Sequence, residues 1–130
     1  MIALDTNILA RFLLNDDPEQ FRRAKTLFES GGELTAPVTV ILELVWVLRV
    51  NGCSRPDIVK GLRLLLGLPN FSPRGHEALL RALAWYENGM DFGDALHLAM
   101  SAAEQRMITF DQNFSKAVKR LDASPDVELL

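Results

Sequence analysis

Five acidic residues stand where carboxylate chemistry is easiest to assemble: Asp5, Glu43, Asp91, Asp94 and Asp111. Asp5 follows the apolar run Ile2-Ala3-Leu4, and Asp111 closes Met107–Phe110. Both runs read as short buried strands. Open parallel sheets bind ligands beyond the carboxyl ends of their strands, so both acids are expected at one sheet edge. Two carboxylates there repel unless something positive lies between them. The competing explanation for each is a helix N-cap. Glu43 lies inside Val40-Ile41-Leu42-Glu43-Leu44-Val45-Trp46-Val47-Leu48, where every neighbour is apolar. A carboxylate in that setting is expected to be desolvated, at a cost that only a partner or a metal offsets. Arg49 is too far along for an ideal pair, which forms three or four residues apart. The alternative is a glutamate on the one solvated stripe of a buried helix.

Asp91 and Asp94 are three residues apart at a helix start and could share a face. Aspartates in a first turn also favour the helix dipole. His97 follows Asp94 by three residues and is expected to pack in the core or behind the site rather than to bind a ligand directly. The donor set is therefore all oxygen. Cys53 is the only cysteine, so an intrachain disulfide is impossible and a thiolate site is not expected. Carboxylates without thiolates select Mg²⁺ or Mn²⁺ over zinc. Those ions suit phosphoryl transfer, where they neutralise a phosphate and activate water. The net charge of −3 weighs against a nucleic-acid binder. The objection softens if several acids hold divalent ions, each cancelling two negative charges.

The elements that must position these residues follow from periodicity. A chain of 130 residues is read as one domain spanning 1–130. After the first strand, Asp5-Thr6-Asn7 opens a helix carrying Ile8, Leu9, Phe12 and Leu13. Asp17-Pro18 opens the next, and Gly31-Gly32 stops it. Leu34–Ala36 reads as a second strand. Val38–Val50 reads as a helix despite its β-branched residues, because it is too long for a typical strand. Further helices are expected from Ser54, over Gly75–Asn88, after Asp91 and over Phe114–Leu121. Asn70-Phe71 is a possible short strand, Met107–Phe110 a strand and Val127–Leu130 a final edge strand. Short strands alternating with helices indicate an α/β sandwich on a parallel sheet. No apolar run is long enough for a bilayer, and no basic patch precedes an apolar stretch at the start, so a cytoplasmic protein is expected.

The order of the acids and the words around them resemble the PIN-domain nucleases, specifically the VapC-type toxins of bacterial toxin–antitoxin pairs. The resemblance spans essentially the whole chain. It rests on Leu4-Asp5-Thr6-Asn7, Glu43 in its apolar helix, Asp91-Phe92-Gly93-Asp94-Ala95-Leu96-His97 and Thr109-Phe110-Asp111. It implies a three-layer α/β/α sandwich with a central parallel sheet, and an endoribonuclease dependent on Mg²⁺ or Mn²⁺. By position, Asp5, Glu43, Asp94 and Asp111 resemble the family's acidic quartet, with Asp91 an additional candidate metal ligand. Thr6, Asn7 and Thr109 resemble supporting polar residues. The resemblance also implies a homodimer and a cognate VapB-like antitoxin protein.

On that reading RNA is hydrolysed by an in-line water. Asp5 and Asp94 hold the principal ion, Glu43 helps to hold it or orients the water, and Asp111 supports a second, weaker site or binds through water. Candidate phosphate contacts are Arg11, Lys116 and Lys119, together with Arg22, Arg23, Lys25 and Arg120, most of which also suit surface solubilisation. Rival readings are a catalytically silent PIN-like module that binds RNA or protein, and a solitary RNA-processing nuclease without an antitoxin. An aspartyl phosphotransfer enzyme wants a second aspartate two residues after Asp5, where this chain has Asn7. A structural interaction protein leaves Glu43 among apolar neighbours without a reason.

Overall fold

The computed structural model describes residues 1–130. It contains two compact units, Met1–His76 and Glu77–Leu130. In the first, β1 (Ile2–Ala3) leads into α1 (Thr6–Leu14) and α2 (Pro18–Glu29), then β2 (Leu34–Thr35), α3 (Val38–Val50) and α4 (Arg55–Leu66). β1 and β2 pair in parallel, Ile2 with Leu34 and Ala3 with Thr35, and Leu34 also bridges Phe71 in parallel. Parallel neighbours need a long crossover, and α1 with α2 supplies it. The possible strand at Asn70-Phe71 is thus a single bridge, held by the Leu34 amide on the Asn70 carbonyl at 2.8 Å.

Local chemistry explains where these helices begin. Asp5 caps α1, Asp17 caps α2 with Pro18 behind it, and Ser54 caps α4 with Pro56 in its first turn. α3 occupies the span that its length and its flanking Pro37 and Asn51 require. Its residues Ile41, Leu44, Val45 and Leu48 are buried at helical spacing, whereas Thr39, Glu43, Trp46 and Val50 form an exposed stripe. The core of this unit includes Leu9, Leu34, Ile41, Leu44, Leu62, Leu65 and Phe71.

In the second unit, α5 (His76–Glu87) and α6 (Phe92–Met100) precede β3 (Arg106–Thr109), α7 (Gln112–Leu121) and β4 (Asp126–Leu129). β3 and β4 run parallel from Arg106 opposite Asp126 to Thr109 opposite Leu129, with α7 as the crossover. The final strand begins one residue earlier than expected. Leu79, Leu83, Tyr86, Met90, Phe92, Leu98 and Val127 are among its buried residues, with Tyr86 and Phe92 packed edge to face at 5.5 Å. Seven helices and strands that pair only in parallel make this an α/β fold, consistent with the α/β/α class expected. No helix is long and apolar enough to cross a membrane.

Candidate active site

The acids of the first unit are organised by the start of α1. Asp5 follows β1 and its Oδ1 accepts the Thr6 amide proton at 2.8 Å. The cap occupies one carboxylate oxygen of a residue that is otherwise exposed. Thr6 is buried, and its hydroxyl donates to Oε1 of Glu43, tying the first turn of α1 to α3. Glu43 itself is exposed. The expectation of a desolvated carboxylate fails here for a geometric reason. Successive helical residues turn by about 100°, so the apolar neighbours in sequence point elsewhere and Glu43 falls on the open stripe. Asn7 is exposed beside this pair.

Two acids of the second unit, Asp94 and Asp111, line one cleft of about 530 Å³ with His97, Ser101, Thr109 and Phe114 among others. Asp91 caps α6, its Oδ2 accepting the Asp94 amide at 3.1 Å. Asp111 caps α7 by accepting the Phe114 amide at 3.1 Å, and its own amide donates to Thr109 Oγ1 at 3.0 Å. Thr109 therefore orients the backbone that presents Asp111. Burial raises the Asp94 carboxyl above its ordinary value, and the negative charges of Asp91 and Asp111 push it the same way against an opposing His97. His97 is exposed on the cleft beside Asp94, which overturns the core half of the sequence expectation and leaves the placement near the site. Its spacing three residues after Asp94 was the available signal. Ser101 and Met100 line the same cleft, and nothing in the sequence marked them.

Several basic candidates are already engaged. Arg11 Nη1 lies 2.6 Å from both Asp16 oxygens, Arg22 pairs with Glu19 at 2.6 Å and Lys25 with Glu29 at 3.7 Å. Arg120 donates to the Asn88 carbonyl at 3.2 Å. Lys116 and Lys119 are exposed on the helix that Asp111 caps, and Arg23 is exposed on α2. The structure gathers no three His, Cys, Asp or Glu side chains into a group that could hold a metal ion. What it brings within electrostatic reach is Asp91, Asp94 and Asp111, and separately it links Thr6 to Glu43 beside Asp5.

Residues 2–120 match the family model described as PIN domain. The chain belongs to the PIN-domain family. PIN domains are typically metal-dependent nucleases, commonly using Mg²⁺ or Mn²⁺, and the oxygen-only acids of this PIN domain are the donors such ions prefer. The match runs across both compact units and includes every acid described above, ending before β4. No curated protein matches the chain.

Proposed function

We propose that this PIN domain, as a single nuclease domain over residues 1–130, is a Mg²⁺- or Mn²⁺-dependent endoribonuclease and the VapC-type toxin of a toxin–antitoxin pair. The observation that supports the reading is the PIN-domain match over residues 2–120, together with Asp94 and Asp111 lining one cleft, where burial and the charges of Asp91 and Asp111 raise the Asp94 carboxyl. Like charges crowded on a PIN scaffold are what a divalent cation would relieve.

By the family resemblance, Asp5 and Glu43 in the first unit and Asp94 and Asp111 in the second are the proposed metal ligands or water-orienting groups, and Asp91 is a further candidate. When bound, such an ion neutralises the scissile phosphate and makes water nucleophilic near neutral pH. The chain's own groups do the positioning. The caps fix one oxygen of Asp5 and one of Asp111 and leave the other free. Thr6 restrains one oxygen of Glu43 so that the other can accept a proton from, or orient, the attacking water. Thr109 sets the Asp111 backbone, Asn7 adds a polar group beside Asp5, and Lys116 and Lys119 are the proposed phosphate contacts on α7.

Support for a homodimer comes from Trp46 and Val50, 63% and 61% exposed on α3, and from Leu64, 54% exposed on α4. Of the Leu62–Leu66 surface read from sequence, Leu62, Leu65 and Leu66 are buried and only Leu64 is exposed among its leucines. The antitoxin and a cytoplasmic setting belong to the same reading. Purified protein incubated with total RNA should cleave it with added Mg²⁺ or Mn²⁺ and stop with EDTA. Expression should arrest growth of a host cell, and co-expression of the neighbouring open reading frame should relieve it. Cleavage without toxicity would favour the solitary RNA-processing nuclease.

A further inference from the structure

The first unit holds a second cleft that none of the acids lines. It lies between α1 and α2 and measures about 410 Å³, within the range of small-ligand sites. Asn7, Arg11, Gln20 and Arg23 supply its polar lining, and Ile8 and Leu27 contribute apolar surface. Arg11 is held by Asp16, with Nη1 2.6 Å from both carboxylate oxygens, so its charge is already neutralised while its planar group is fixed in place. Arg23 is exposed and within electrostatic reach of Glu19. Asn7 belongs to the same first turn as Thr6, the residue that restrains Glu43, and follows Asp5 by two positions. The cleft therefore starts beside the acids of the first unit.

We propose that this cleft is a nucleotide subsite for single-stranded RNA, holding a residue that flanks the scissile phosphate. The inference rests on the ribonuclease reading and adds the element that recognises substrate. The chemistry is suited to a nucleotide. Arg23 is the exposed cation of the cleft that is not held in a bidentate pair, and it suits a backbone phosphate. The planar amides of Asn7 and Gln20 carry both donors and acceptors, as a base edge requires. The Arg11 guanidinium and the aliphatic surface of Ile8 and Leu27 offer a face for an unstacked base. A protein helix presenting an apolar face fits less well here. The groove lined by Phe12, Phe21, Phe28 and Leu64 is the more apolar choice for such a partner.

The test measures binding of a short fluorescein-labelled single-stranded RNA pool, randomised in sequence, in EDTA so that cleavage plays no part. Arg23→Ala should weaken binding and lower the slope of log affinity against log salt by about 0.7, the loss of one single-strand phosphate contact. Gln20→Ala should leave that slope unchanged but erase a preference of about fivefold at one nucleotide position among the bound sequences. Both side chains are exposed, so thermal unfolding should match the wild type and report intact folding. Wild-type binding and preference in both variants would overturn the subsite while leaving the nuclease reading standing, and is also the result if the cleft takes a protein instead. A wild-type protein that neither binds nor cleaves RNA would overturn both.

Discussion

Asp94 concentrates the electrostatics of the second unit, and its behaviour can be followed without any assay of activity. Its carboxyl is raised above the ordinary value of 3.8, by burial first and then by Asp91 and Asp111. The folded protein therefore binds this proton more tightly than the unfolded chain does. The resulting stability is fully present below the ordinary aspartate value and is lost as pH rises through the raised one. In metal-free protein near pH 7, Asp94→Asn should accordingly raise the melting temperature. The gain should disappear when melting is repeated near pH 3, and an equal gain at both values would contradict the assignment. Added Mg²⁺ should raise the melting temperature of the wild type, by about 2.7 kcal/mol of stability at a hundredfold excess over Kd, and should do much less for Asp94→Asn. Thr6 allows a different kind of check. Thr6→Val keeps the shape of a buried residue but removes the hydroxyl that Glu43 accepts. It should cost about 1 kcal/mol in denaturant unfolding and lower kcat for RNA cleavage with little change in KM, since Glu43 loses its restraint while the substrate cleft is untouched.

At the level of elements, the caps couple fold and chemistry. Asp5, Asp91 and Asp111 each cap a helix, so the choice between capping and function posed by the sequence is not exclusive. Asparagine caps about as well as aspartate. Asp111→Asn should therefore keep α7 and the melting temperature while removing most RNA cleavage, whereas Asp111→Ala should lose activity and also about 1 kcal/mol of stability in urea titration. The same helices show what was legible beforehand. Pro37 and Asn51 bound α3, Asp17-Pro18 opens α2 and Ser54 opens α4, because turn and capping chemistry is local and carried by single residues. The exposure of Glu43 was legible only as the alternative to a desolvated carboxylate. Trp46 and Val50 share its open stripe and give it an apolar composition, so the pattern that normally marks a solvated face was erased. That same stripe supports the proposed dimer. Trp46→Glu should change unfolding by no more than about 0.5 kcal/mol, as expected of an exposed position. It should shift the protein to monomer in size-exclusion chromatography with light scattering, and an unchanged mass would exclude this surface as the interface.

For the molecule as a whole, the α/β class and parallel pairing followed from the alternation of short strands and long helices, and the family match over residues 2–120 agrees with them. The clefts were beyond reach of the sequence, because Gln20 on α2 and Ser101 after α6 come to line them only through packing. A net charge of −3 on a proposed RNA enzyme is consistent with acids reserved for cations and with basic residues tied up locally, as Arg11 is by Asp16 and Arg22 by Glu19. The central claim is that these acids serve metal-dependent cleavage of RNA. It is tested most directly by mapping cleavage of single-stranded RNA with Mg²⁺, by sequencing, for the wild type and for Asp5→Asn, which retains the α1 cap. The wild type should cut at defined positions, and Asp5→Asn should be folded and lose that activity by at least about a hundredfold. Equal cleavage by both proteins, undiminished in EDTA, would contradict the account.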